Sequence, residues 1–407
     1  MKKTALKFRI FWILLPVLVL GALAAFPVPA GAEGMLTMGP LQLRAELATG
    51  WKHRSNIYLT EKNATSDNIF MVDPTIGVRH KLSETSYWSL NYIGSYAFYQ
   101  DKTENDWKSH TFALDSKFGG EVGPYVKLSN VYTQSSDPFG SENQYNLGVK
   151  TERELNNFTI APGWAFSPLT RIEVAYTNLY TQYDKDKDKD QNQRENQYVS
   201  TFYYGVLPLT SALLQYRYVT RKYPDQPGST NEDFKRNDVF VGLSWDPSAK
   251  INGELKVGYS WQSYDNTANK DGFELEKKDT YAIETNVTYK FSEKLHFLVN
   301  LDRKIQESTV VGTNYYTDTQ GTLGARWWPL EKLTVLLSGT YGKQEYNSLD
   351  GSSSRSDSIY KATAEAEYSF LQYLFVVARY NLDKKDSNKA DASYTDHVYF
   401  LGVGGRL

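Results

Sequence analysis

Residues 281–302 read YAIETNVTYKFSEKLHFLVNLD and contain two strands and the turn between them. Tyr281, Ile283, Val287, Tyr289 and Phe291 alternate with Ala282, Glu284, Asn286 and Lys290. After Ser292-Glu293-Lys294, Leu295, Phe297, Val299 and Leu301 alternate with His296, Leu298, Asn300 and Asp302. Successive side chains of a strand point to opposite faces, so each strand has one apolar, aromatic-bearing face and one mainly polar face. The pattern recurs where Leu255, Val257, Tyr259 and Trp261 alternate with Lys256, Gly258, Ser260 and Gln262, and where Leu374, Val376, Ala378 and Tyr380 oppose Val377, Arg379 and Asn381. A β-sandwich or propeller could use such alternation, but a long run of hairpins with outward aromatics suits a barrel closed in lipid, where every backbone group must be paired.

Turn signals separate the strands. Short ones lie at 83–85, 167–170, 246–249, 292–294 and 329–332, and longer polar segments at 184–196, 224–234, 266–274 and 348–356. Short turns belong in the periplasm and long loops outside the cell. The expectation is an all-β fold, a transmembrane antiparallel up-and-down β-barrel of about 18 strands over residues 33–407. Ser141 to Asn157 reads either as a strand or as part of a long loop that could fold inward as a constriction. Trp88, Tyr92, Tyr96, Trp327 and Trp328 are expected in interfacial girdles.

The chain opens with Lys2, Lys3, Lys7 and Arg9, an apolar run from Ile10 to Phe26, and Ala30-Gly31-Ala32. This is the form of a cleaved signal peptide over 1–32, and together with the barrel pattern it gives the expectation of the outer membrane of a Gram-negative bacterium. Mean hydropathy is −0.53, although 14% of residues are aromatic. A barrel reconciles the two, because only every second strand residue faces lipid. Cysteine is absent, which excludes disulfides, thiolate metal sites, C-x-x-C-H haem attachment and a lipidated N-terminal cysteine. The formal charge of −2 becomes −6 once the four leader cations are removed, giving no reason to expect a nucleic-acid partner.

The polar strand faces carry both signs of charge. Arg44, Arg79, Arg171, Arg217, Arg221, Lys256, Arg326, Lys361 and Arg379 accompany Glu46, Asp73, Glu173, Glu284, Asp302, Glu365 and Glu367. They are the lumen-lining candidates, either as solvated cross-strand pairs or as rings that attract an anionic polymer; the mixed signs argue against strong anion selectivity. Most of the 31 tyrosines are expected toward lipid, with Tyr99, Tyr203 and Tyr399 open to either side. Asp184, Asp186, Asp188, Asp190, Asn192 and Glu195 have the spacing of a calcium-binding loop, but Lys189 replaces the required glycine and Lys185 and Lys187 oppose a cation, so a solvated loop is the better account. No catalytic residue, metal or cofactor is assigned. His53 and His397 are brought together by barrel closure, without a nucleophile motif.

The segment from Glu152 to Tyr183, ERELNNFTIAPGWAFSPLTRIEVAYTNLYTQY, has an Arg-containing strand, a proline within it, a Ser-Pro turn and an alternating strand ending in Tyr; residues 73–99 have the same style. In this it resembles the putative β-barrel porin-2 family, barrels associated with exopolysaccharide and exosortase gene clusters. The resemblance implies a non-enzymatic outer-membrane channel, a portal for a secreted polysaccharide with periplasmic export proteins as partners, and no catalytic residues. Alternatives are a general diffusion porin, a plugged barrel acting as an interaction protein, or a sheath for a separate haem protein. Outer-membrane lipid and the barrel-assembly machinery are implied partners, and the Gly-Gly-Arg-Leu ending leaves Tyr399, Phe400 and Leu407 for recognition by the latter.

Overall fold

The computed structural model describes residues 35–138, 150–269, 272–308, 313–347 and 354–407; the leader at 1–32 lies outside them. A short β1 (Leu36–Met38) precedes the long strands β2 (Leu41–Arg54), β3 (Asp67–Lys81), β4 (Tyr87–Tyr99), β5 (Trp107–Gly119), β6 (Gly123–Ser135) and β7 (Arg153–Ser167). Then follow β8 (Thr170–Tyr183), β9 (Gln193–Leu207), β10 (Thr210–Lys222), β11 (Phe234–Trp245), β12 (Ile251–Tyr264) and β13 (Lys278–Ser292). The last are β14 (Leu295–Glu307), β15 (Tyr315–Leu330), β16 (Leu333–Tyr346), β17 (Ser356–Ser369), β18 (Leu374–Ser387) and β19 (Tyr394–Arg406). Each long strand pairs antiparallel with the next, and β19 pairs with β2 from Val398↔Arg54 to Arg406↔Glu46. The result is a closed barrel of 18 strands.

The outer wall is a belt of exposed apolar residues, among them Trp51, Ile76, Phe112, Trp164, Tyr204, Leu214, Tyr259, Tyr281, Leu323 and Leu401. In water such a surface would be an aggregation site; in a bilayer it is the lipid contact. Strands of 12 to 16 residues exceed the roughly 9–11 needed to span hydrocarbon, so they project beyond it. Pro74 and Pro162 sit where the β3–β4 and β7–β8 ladders lose pairs, as expected of residues without a backbone N–H.

One girdle expectation needs adjustment. Trp327 faces outward, but the register shifts between Trp327 and Leu330, and Trp328 packs edge-on against His296 at 4.9 Å on the inner side. Of the three undecided tyrosines, Tyr99 and Tyr203 lie buried inside, and Tyr399 lies exposed on the outer wall. Phe400, between the outward Tyr399 and Leu401, points inward.

The closing seam is narrow. Gly50 pairs with Gly402, and a Cβ on Gly50 would lie 2.4 Å from the Leu401 carbonyl oxygen and 2.9 Å from the Phe400 ring. Gly339, on the outer wall between Leu337 and Tyr341, has nothing within 4 Å of such a carbon. Gly50→Val is therefore expected to lower barrel stability by about 1–3 kcal/mol through overpacking, while Gly339→Ala leaves it unchanged. Urea titration read by the mobility difference between heated and unheated barrel on gels checks this, and equal behaviour of the two variants would refute it.

Candidate pore lining

Alternation against the exposed apolar belt puts Arg44, Glu46, Asp73, Arg79, Arg171, Glu173, Arg217, Arg221, Lys256, Glu284, Asp302, Arg326, Lys361, Glu365, Glu367 and Arg379 on the inner face. The largest network crosses four strands. Arg217 on β10 donates through Nε to Asp238 on β11 at 2.7 Å and also pairs with Glu284 on β13. Lys256 on β12 reaches the other Glu284 oxygen at 2.8 Å, and Arg236 Nε lies 3.2 Å from Asp238. Nearer the outer mouth, Arg221 Nε donates to Glu195 at 2.7 Å.

Inner-wall glycines make room for these contacts. The Tyr125 phenol on β6 lies over Gly163 of β7, where a Cβ would meet its ring at 2.3 Å, and donates to Glu173 on β8 at 3.0 Å. Lys127 joins the same carboxylate at 2.7 Å. Arg171 stacks on Tyr203 at 3.9 Å, and Arg79 on Tyr87 at 4.2 Å, whose hydroxyl donates to Asp115 at 2.6 Å. Arg44 pairs with Glu46, Arg379 with Glu365 and Arg406 with Glu367, while Ser95 donates to Asp73 at 2.6 Å. At the outer rim, burial of the Asp265 carboxyl opposes ionisation, but the Lys222 and Lys235 ammonium groups outweigh it and hold its pKa below the usual aspartate range.

The chain matches, over residues 28–407, the family described as "Putative beta-barrel porin 2". It belongs to that family. Among solved structures, the outer membrane protein opdK from Pseudomonas aeruginosa is 10% identical with a TM-score of 0.48, the match covering 90% of this chain and 98% of that one. A BenF-like porin from Pseudomonas fluorescens Pf-5 is 8% identical with a TM-score of 0.47, covering 90% and 99%. A bacterial polysaccharide outer membrane secretin is 9% identical with a TM-score of 0.36, covering 89% and 98%. No curated protein matches this chain.

In this porin the acidic segment does not form a cation cage. Asp186–Gln191 winds into a short 3-10 helix, Asp186 pairs with Lys189 at 2.7 Å, and Asn192 donates to Asp225 at 2.6 Å. Strand β9 begins at Gln193, so Glu195 turns into the barrel toward Arg221 instead of toward Asp184, Asp188 and Asp190. Among the described residues no group of three or more His, Asp or Glu is placed to hold a metal. His53 and His397 both lie on the outer wall, where their Nδ1 atoms contact Asn68 at 2.9 Å and the Tyr380 hydroxyl at 3.0 Å.

Within Ser141 to Asn157, residues 141–149 lie outside the described residues and Arg153 to Asn157 belong to β7. The segment seen to fold onto the inner face is a different one, residues 55–66. Its Ile57, 3% exposed, packs on Ile69, Met71, Ala97 and Tyr99, with Tyr58, Trp107 and Phe400 at the margin. Asp396, fully buried on β19, fastens the start of this segment: it accepts Arg54 Nε at 2.8 Å, Arg54 Nη2 at 2.6 Å and the Asn56 backbone N–H at 2.9 Å.

Removing one partner of a buried ion pair costs about 3–5 kcal/mol. Asp396→Ala is accordingly expected to destabilise the barrel by that order and to raise its single-channel conductance as residues 55–66 leave the wall; unchanged conductance in a folded variant would show that the segment does not narrow the path. Reversing both Arg217 and Arg221 to Glu is expected to move the reversal potential in a KCl gradient toward cation selectivity. A folded variant with unaltered selectivity would take these side chains out of the ion path.

Proposed function

We propose that this porin is an outer-membrane conduit through which a secreted polysaccharide leaves the cell, delivered by periplasmic export components. The observation that carries the reading is the inner wall, where charges of both signs are engaged with one another and with tyrosines across many strands. A polymer sliding along such a wall meets many weak contacts and no deep well, and passage requires sites that are weak and numerous. Transport of this kind needs no covalent step; direction comes from synthesis or from the periplasmic partner.

A second reading, a diffusion porin for small solutes, is favoured by residues 55–66, since an inward-packed segment supplies the constriction that a size filter needs. The two readings separate in a deletion strain with a complemented control. Polysaccharide is expected to fall at the surface and accumulate in the periplasm; normal surface polysaccharide would discard export and leave the size filter.

A further inference from the structure

At the closing seam the inner wall contains a hollow of about 210 Å³. Its floor and sides come from Lys52 and Arg54 on β2, Met71 on β3, Trp107 on β5, Arg379 on β18 and Phe400 on β19, all inward positions. It is smaller than the roughly 300 Å³ at which drug-sized pockets begin, so it suits one ring rather than a large ligand.

The charges around it are distributed unevenly. Arg54 is committed to Asp396 and Arg379 to Glu365. Asp73, the carboxylate acting most strongly on Lys52, accepts the Ser95 hydroxyl. No hydrogen bond or ion pair joins the Lys52 ammonium to any described residue. A cation without such a partner, set among Trp107, Phe400 and Met71, offers an incoming group a charge-assisted hydrogen bond beside apolar faces. Aromatic rings cover the apolar face of a flat ring with polar edges, and an ammonium takes a carboxylate.

We infer that this hollow is a subsite for a uronic acid unit of the passing glycan, with Lys52 receiving the carboxylate and Trp107 and Phe400 meeting the sugar ring. The inference rests on the saccharide reading above and names the sugar class. A single such contact, shared with a solvated lumen, holds one unit briefly without stopping the chain.

The test is block of single-channel current in the full-length barrel by a short oligogalacturonate, compared with its methyl ester and with a neutral oligoglucoside of equal length. The free acid is expected to block at concentrations about tenfold or more below those needed by the other two, the loss expected for one charge-assisted hydrogen bond. Lys52→Gln should abolish the difference and Lys52→Arg should keep it. Equal block by acid and ester, or an undiminished acid preference in folded Lys52→Gln, overturns the subsite. The ester comparison uses the unaltered protein, so it decides the matter even if Lys52→Gln does not fold. The export reading fails separately, through normal surface polysaccharide in the deletion strain.

Discussion

The structure depends on completing backbone hydrogen bonds where no water is available to complete them. Each interior strand satisfies both edges through its neighbours; only β2 and β19 could be left open, and their mutual pairing closes the ladder. The seam stops at Glu46, and β1 continues along the same edge of β2 from Leu41 to Leu43. The Leu407 backbone N–H reaches the Ala45 carbonyl at 2.9 Å between them. Gly50 and Gly402 allow the two edges to approach with the Phe400 ring laid across them.

Closure divides the side chains into two populations with different physics. Outward residues need only be apolar and of suitable depth, and their packing is loose because lipid adapts to them. Inward residues must share a restricted wall, so long polar chains lie along it and reach over neighbouring strands. Glycines at crossing points, such as Gly163 under Tyr125 and Gly404 under Phe375, provide the necessary clearance.

The outer face was legible because a period of two is a strong signal over 12 to 16 residues and lipid tolerates few exceptions. The strand number followed from it, and the same alternation is what assigns the charged residues to the other face. What escaped were features set by tertiary geometry. The partner of Arg54 is 342 residues away, beyond any local pattern. Asp238 could have been found by reading Val239 and Val241 as outward. The apolar patch inside the mouth had a signal as well: Ile69 to Val72 is an uninterrupted apolar run, which marks a strand buried on both faces. Trp328 directly follows the outward Trp327, so plain alternation turns it inward despite its aromatic character, and Glu195 turns inward because the strand begins earlier than the polar loop suggests.

The pairing of charges along the wall from Lys127 and Glu173 to Lys256 and Glu284 also has an electrical consequence. Opposite charges joined at 2.7–2.8 Å cancel within a very short distance, whereas the Debye length at 0.01 M salt is about 30 Å. Along that stretch there is little standing layer of counter-ions for a cargo to displace, so dilution of the surroundings changes its passage little. For the same reason that part of the wall exerts no long-range pull. An ion or solute in the lumen therefore feels that part of the wall only at contact range.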